Sequence, residues 1–407
     1  MSADPRPLHV CFVAPGAYGA LAGRPDLRHI GGAEVQQRLL ARELVRRGHP
    51  VTFVTLDHGQ PDGVEHDGIR VVKTCREDAG LPGVRFVHPR WTSLWAALRR
   101  ADAQVYYQRG AGIETGQVAL FARRRGRPFV FATASDTNCV PELPDLPVAR
   151  ERVLYRYGLR SAHRVVCQTS TQGDLLARNF GVEAELIRSC SEDPRGGAIA
   201  SPDRPPGGPR VLWVGRFSPQ KRPELMLDLA AARPDIPFDV VGGRAGDGAY
   251  AAAVAARAEG LPNVALLGWV RPDEVGAYYD RATVLLCTSP VEGFPNTFLE
   301  AWSRGVPTVS TVDPDGLIVA GGLGGVGQTA PELSAALTLV HRDDGTWAAC
   351  SRRVRAHYIK THTVGAAVDA YGRLFAQLVP AGRGMVGFGA EPAKAPPASS
   401  SNGAPLP

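Results

Sequence analysis

Between residues 8 and 311 the chain alternates short apolar runs with longer amphipathic segments, and it does so twice over. The first series reads "LHVCFVA", "VTFVTL", "IRVVKT", "AQVYYQ", "PFVFAT" and "HRVVCQT"; the second reads "RVLWVG", "FDVVGG", "NVALLG", "TVLLCTS" and "VPTVST". Continuous apolar runs of this length, rich in β-branched residues, fit strands buried on both faces. Between the first two runs, Val35, Leu39, Leu40 and Leu44 cover about half a helix circumference, which predicts a helix from about Gly32 with Gly48 as its C-cap. Strand–helix alternation means parallel sheets with right-handed crossovers. The expected fold class is therefore α/β, with two doubly wound Rossmann-like domains facing across a cleft. Ligands in such sheets sit outside the carboxyl ends of the strands.

A stretch rich in Pro and Gly, "SEDPRGGAIASPDRPPGGP" at 191–209, separates the two series and reads as a linker. The expected organisation is a first domain over 1–195, a linker over 196–209 and a second domain over 210–360. A last helix over 361–380, with its apolar pattern at Val364–Val379, follows. The tail 381–407 is too rich in Pro, Gly and Ser to build a core and is expected to be disordered.

Composition narrows the class. At 407 residues the chain exceeds one ordinary core, and 44% hydrophobic with 21% charged residues describes a globular protein. No apolar run reaches the ~18 residues a membrane span needs, and the N-terminus lacks a signal-peptide core. Seven scattered cysteines without C-x-x-C spacing argue for reduced thiols and against structural zinc. The expected location is cytoplasmic. The net charge of +6 comes from arginine clusters such as "LVRRGH" and "ARRRGRP". Most suit helix ends and solvated faces; they also suit peripheral contact with an anionic inner membrane face. No aromatic interleaving or binding motif accompanies them, so nucleic acid is not an expected partner.

The segment "SPVEGFPNTFLEAWSRGVP" sets Glu292 and Glu300 eight residues apart around a loop-to-helix junction. A helix starting near Pro295 suits proline's place at a first helical position. The amides of Phe294, Asn296 and Thr297 then point from the helix start, where unpaired N–H groups attract anions, and Gly293 allows close approach. The two glutamates read as acceptors for sugar hydroxyls on either side of a phosphate rather than as an acid/base pair. "VLWVGRFSPQKRPELMLDLA" adds strand, Gly215, Arg216, a short loop and Lys221, one of only four lysines. A planar guanidinium and a compact ammonium after one strand can converge on a diphosphate. In the first half, about 17 residues separate the first strand from its helix and end in Gly31 and Gly32. Loops so long inside α/β units are usually functional. Neither a G-x-G-x-x-G nor a G-x-x-x-x-G-K-[ST] motif occurs, so nicotinamide and ATP sites lack support.

Over residues 8–378 the chain resembles the retaining, nucleotide-sugar-dependent glycosyltransferases of family 4, which have the GT-B fold. The stretch from "NVALLGWVRPDEV" to "VPTVST" is similar to that family's donor signature, "VGRFSPQKRPELML" to its diphosphate-binding unit, and "GGAEVQ" to its N-terminal glycine loop. The resemblance implies that Arg216 and Lys221 hold the donor diphosphate. It implies Glu300 on the ribose and Glu292, the third catalytic candidate, on the transferred sugar. Phe294, Pro295, Asn296 and Thr297 would lie near the sugar and phosphates, and Gly268, Trp269 and Val270 against the base. Gly31, Gly32, Gly215 and Gly293 would admit the donor to the backbone, and the last helix would cross back to the first domain. One departure stands out: where family members often carry His-Asp, this chain has Ser135-Asp136, which with Asn138 forms the acceptor-side candidate set.

The implied reaction moves a sugar from a UDP- or GDP-sugar to a glycan, lipid-linked or small-molecule acceptor, in cell-surface glycan or glycolipid synthesis. The leaving diphosphate is stabilised by Arg216, Lys221 and a helix N-terminus, without cofactor or metal. Two other readings stay open: a nucleotide-sugar epimerase-hydrolase of the same shape, and a non-catalytic nucleotide-sugar-binding module.

Overall fold

The computed structural model describes residues 7–24, 27, 31–198, 204–243, 248–271 and 273–379. The expected tail at 381–407 lies outside the described residues, as do parts of the linker and of the loop before Gly31. The first half forms an eight-stranded sheet: β1 (Val10–Val13), β2 (Val51–Thr55), β3 (Val64–His66), β4 (Ile69–Lys73), β5 (Val105–Arg109), β6 (Phe129–Ala132), β7 (Arg164–Cys167) and β8 (Glu185–Leu186). Their spatial order is β3-β4-β2-β1-β5-β6-β7-β8, parallel except for the β3–β4 hairpin at one edge. The second half forms a six-stranded parallel sheet from β9 (Val211–Arg216), β10 (Phe238–Gly243), β11 (Val264–Gly268), β12 (Val284–Cys287), β13 (Thr308–Ser310) and β14 (Gly324–Val326). Its order is β11-β10-β9-β12-β13-β14. The chain reverses its direction of strand addition between β1 and β5 and again between β9 and β12. A doubly wound sheet opens its ligand crevice at these two points.

Every predicted run is a strand. Most are buried on both faces, as in Val10–Val13 and Val284–Cys287, because helices cover each sheet front and back. The first helix of the pattern spans Gly32–Arg46; Arg47 is its cap, and Gly48 follows at φ 83°, donating its N–H to the Val45 carbonyl at 2.9 Å. A short helix, Tyr18–Ala22, lies inside the long loop that precedes it.

The helix Val364–Leu378 ends the described chain but packs on the first sheet. Ala367, Val368, Tyr371, Leu374 and Phe375 join Val10, Phe12, Val105 and Tyr107 in one apolar cluster. Tyr371 and Tyr107 pair through their hydroxyls at 3.2 Å, with rings edge to face. Each large apolar side chain buried this way contributes about 1.5–3 kcal/mol. The route back is anchored by Arg355, fully buried on the preceding helix Asp344–Thr361. It pairs with Asp193 at 2.8 Å and donates to the carbonyls of Ala198 and Ser303. Among the described residues, no helix is long and apolar enough to cross a membrane.

Candidate active site

The carboxyl ends of β9 and β12 lie side by side at the second sheet's crossover point. The link is built from buried groups: Trp213 Nε1 donates to Thr288 Oγ1 at 3.0 Å, and that hydroxyl donates to the Lys221 carbonyl at 2.6 Å. The loop after β9 is thereby tied to the loop after β12. Lys221, closing a 3-10 turn at Pro219–Lys221, reaches across and pairs with Glu292 Oε1. The neighbouring Arg222 takes a left-handed conformation, φ 47°, which turns the chain sharply into the helix Pro223–Ala232. Arg216 is exposed at the end of β9, and among the described residues its side chain meets no hydrogen-bond or ion-pair partner. Gly215 packs flat against Trp213, 2.9 Å from where a Cβ would stand. Its own carbonyl oxygen would lie 2.1 Å from a Cβ at Gly242.

The helix after the glutamate loop spans Asn296–Trp302, so Pro295 is its N-cap at φ −63°, ψ 125°, one position before the expected one. With seven residues it offers the free amides of its first turn rather than a long aligned dipole, and the expected electrostatic role of a helix start is correspondingly reduced. Phe294 is buried against Phe298, Trp302 and His362, which leaves only its backbone for a ligand. Asn296 spends its side chain on the other half of the molecule: it donates to the Gly32 carbonyl at 3.1 Å and accepts from Gln36 at 3.1 Å. A Cβ at Gly32 would sit 2.9 Å from the Asn296 amide. Gly32 thus serves a contact between the two halves, whereas Gly31 caps its own helix and donates its N–H to Glu34 Oε2 at 3.0 Å. Thr297 is half-buried, and among the described residues its side chain meets no hydrogen-bond partner.

Glu300 is one turn inside the helix and accepts from the Tyr279 hydroxyl at 2.7 Å. Burial raises its carboxyl pKa, and the Tyr279 hydrogen bond opposes that shift. Gly268 closes β11 and is exposed, Trp269 follows it 62% exposed, and Val270 packs inward.

On the facing side, Gly293 abuts the loop after β6, its Cβ position 2.9 Å from the Ala134 carbonyl oxygen and 3.0 Å from Ser135 Cα. Asn138 points back into that loop rather than outward. It is buried and its Oδ1 accepts from the amides of Ala134 and Ser135 at 2.9 and 3.3 Å, while Ser135 accepts from Thr137 N. Asp136 does face the gap. Its carboxylate accepts from Gln172 at 2.9 Å, and its pKa is raised by burial first, then by Asp315 and Glu292. Asp136, Thr169, Thr171, Glu292, Gly293 and Asp315 line a pocket of about 230 Å³ between the halves. A larger groove of about 650 Å³ runs past Arg42, Asp67, Glu192 and Thr363, and none of the candidate site residues lines it. The first sheet's own crossover point holds Arg109, at the end of β5. Its Nη2 donates to Ser189 Oγ at 3.0 Å, that hydroxyl donates to Gln168 at 2.6 Å, and the buried Nε of Arg109 meets no partner among the described residues. No sequence motif marks Arg109 or Asp315. The strand-end position of Arg109 was the available signal; Asp315 gave none. Among the described residues, no group of His, Cys, Asp and Glu could hold a metal ion.

Two facing doubly wound units with charged side chains gathered at their crossover points define the GT-B architecture. Residues 31–190 match the model of the glycosyl transferase 4-like domain, and residues 208–338 that of the group 1 glycosyl transferases. The chain belongs to this glycosyltransferase family. Curated relatives include D-inositol 3-phosphate glycosyltransferases from Streptomyces bingchenggensis, 29% identical over 51% of each chain, and from Rhodococcus jostii, 27% identical over 63% of this chain and 64% of the relative. The chain thus spans about half to two thirds of these relatives. Among solved structures, sucrose-phosphate synthase from Thermosynechococcus elongatus superposes with a TM-score of 0.73 at 18% identity, covering 91% of this chain and 99% of that one. The lipopolysaccharide outer core galactosyltransferase WaaB superposes with a TM-score of 0.59 at 17% identity, covering 89% and 100%. At these identities the structures speak for the fold alone.

Proposed function

We propose that the protein is a retaining glycosyltransferase that moves a sugar from a UDP- or GDP-sugar to an acceptor hydroxyl, in cell-surface glycan or glycolipid synthesis. In this reading residues 210–360 hold the donor and residues 1–195 the acceptor. The observation that carries it is the Lys221–Glu292 pair at the β9/β12 crossover point, with the unpartnered Arg216 beside it. Lys221 turns to the donor diphosphate while Glu292 accepts from hydroxyls of the transferred sugar. Glu300, held by Tyr279, takes the ribose hydroxyls. As the bond from the anomeric carbon to the phosphate oxygen breaks, charge grows on the diphosphate. Arg216 and Lys221 already face it, so no metal is required and little reorganisation follows. The acceptor oxygen bonds to the same face of the anomeric carbon, and its proton passes to the departing phosphate. That curated relatives are D-inositol 3-phosphate glycosyltransferases supports a polar or phosphorylated acceptor here, and the half-buried Arg109 guanidinium suits one.

The test has two stages. Thermal-shift screening with UDP-, GDP- and ADP-sugars identifies the donor, because a ligand that binds only the native state raises its stability. Lys221→Ala and Glu292→Ala are then each expected to lower transfer by at least about a hundredfold while leaving the fold intact. Near-normal turnover in both variants would refute the assignment.

A further inference from the structure

Asp315 stands in the loop after β13, in the second unit, yet every hydrogen bond its carboxylate accepts comes from the first. The Ser170 and Thr171 amides donate to it at 2.9 and 3.1 Å, the Thr171 hydroxyl at 3.3 Å, and the Arg188 guanidinium at 2.9 Å. Ser170 and Thr171 open the helix Ser170–Phe180, whose own N-cap, Thr169, accepts through its hydroxyl from the Gln172 amide at 3.1 Å. The first two amides of that helix are therefore satisfied by a residue about 145 positions away in sequence. Only 8% of the Asp315 side chain is exposed. The backbone is strained to put it there: Asp315 has φ 55°, a left-handed conformation that a side-chain-bearing residue rarely adopts. Its neighbours do not share the task, since Asp313 turns the other way and caps the short helix Leu317–Gly321 through the Ile318 and Val319 amides.

We infer that Asp315 is a positioning residue that clasps the two units together over the transfer site, its carboxylate filling an anion seat built by Ser170, Thr171 and Arg188. The placement fits that role. Asp315 lines the same pocket as Glu292 and Asp136, on the rim where Gly293 meets the Ala134–Ser135 loop. Closing this rim excludes water from the reacting groups, and a charge-assisted cluster holds it shut without touching the substrate. The catalytic consequence rests on the reading above; the clasp itself does not.

The test uses the full chain and two variants. Asp315→Gly removes the carboxylate and also relieves the left-handed strain, so loss of folding is not the expected result. Asp315→Asn keeps the shape and tolerates the conformation, but lacks the charge. Without ligand, small-angle scattering of the wild-type chain should match the closed arrangement. Asp315→Gly should show a larger radius of gyration and faster hydrogen exchange at the Ser170 and Thr171 amides. Sodium formate, which returns a free carboxylate to the seat, should restore compactness in Asp315→Gly beyond sodium chloride at equal ionic strength. Asp315→Asn should fall between. With the donor found, kcat/KM for transfer should drop by about tenfold or more in Asp315→Gly, while nucleotide alone still raises its melting temperature. The inference is overturned if both variants scatter and exchange like wild type. It is equally overturned if Asp315→Gly opens but formate acts no better than chloride. A wild-type chain without transfer activity would count against the proposed function, and the scattering and exchange results would still decide the clasp.

Discussion

Gly293→Ala isolates how closely the two halves must meet. The glycine has ordinary backbone angles, so alanine is permitted there and the whole effect is steric. Its new methyl would lie 2.9 Å from the Ala134 carbonyl oxygen, 2.9 Å from Gln172 Nε2 and 3.0 Å from Ser135 Cα, against the 3.4 Å at which ordinary contact begins. Two of the three neighbours are backbone and cannot swing aside. Gln172 is also held, donating to Asp136 and accepting from Thr133 at 2.6 Å. The rim must therefore part by about half an ångström, and overpacking of this kind costs about 1–3 kcal/mol. Both sheets keep their cores, so the cost falls on the closed arrangement, whose ratio to open forms drops about 5- to 150-fold. The assay is kcat/KM for transfer alongside the radius of gyration. Gly32→Ala is the control, because its methyl meets only the movable end of Asn296, 2.9 Å away, a side chain that can shift within its two 3.1 Å hydrogen bonds to Gly32 and Gln36. An effect of about threefold or less is expected there. Wild-type turnover and compactness in Gly293→Ala, or an equal loss in Gly32→Ala, would refute the reasoning.

Two further outcomes follow from the titrating groups. Tyr279→Phe removes the hydroxyl that holds Glu300, leaving a buried carboxylate that protonates more readily; donor KM should rise about tenfold, more steeply in mild acid, with kcat little changed. An unchanged KM across pH would show that Glu300 does not bind the donor. His341 and His362 are held neutral by burial, with pKa values lowered to about 4 and about 3, and His362 donates Nδ1–H to the Ser189 carbonyl at 2.8 Å. The unfolded chain takes up these protons near pH 6.5 and the folded chain does not. The stability they confer is therefore complete above that pH and lost as pH falls toward 4 and 3. By pH 5 the loss should reach about 2 kcal/mol per histidine, read by urea unfolding at pH 7, 6 and 5. A pH-independent midpoint would refute their burial as neutral groups.

The strands were legible because burial on both faces leaves a mark that needs no partner: "VLWV" and "VLLC" are apolar at every position. Apart from β11, the edge strands leave no such mark. Gly324–Val326 pairs with Thr308–Ser310 although it opens on two glycines, and Gly324, at φ 154°, stands where a Cβ would meet the Thr308 carbonyl oxygen at 1.8 Å. The β3–β4 hairpin turns at Asp67 and Gly68, both with positive φ, and its first strand is too short and polar to show a period. The glutamate loop and the Lys221 turn were readable because residue type, spacing and strand ends agreed. What Asn296 does was not, because its partners Gly32 and Gln36 lie about 260 residues away and only folding brings them near. Asp315 escaped for the same reason; Asn138 escaped for the opposite one, since its local capping of Ala134 and Ser135 looks in sequence like any polar loop residue.

The return of Val364–Leu378 to the first sheet also governs how the polypeptide can be made. As translation proceeds, the leading half emerges with a stripe around Phe12, Val105 and Tyr107 still waiting for Tyr371, Leu374 and Phe375. Its completion is deferred until the opposite lobe has been synthesised, so the two halves mature as one cooperative object. Cutting the gene at the linker would produce a fragment with a sticky, unfinished wall.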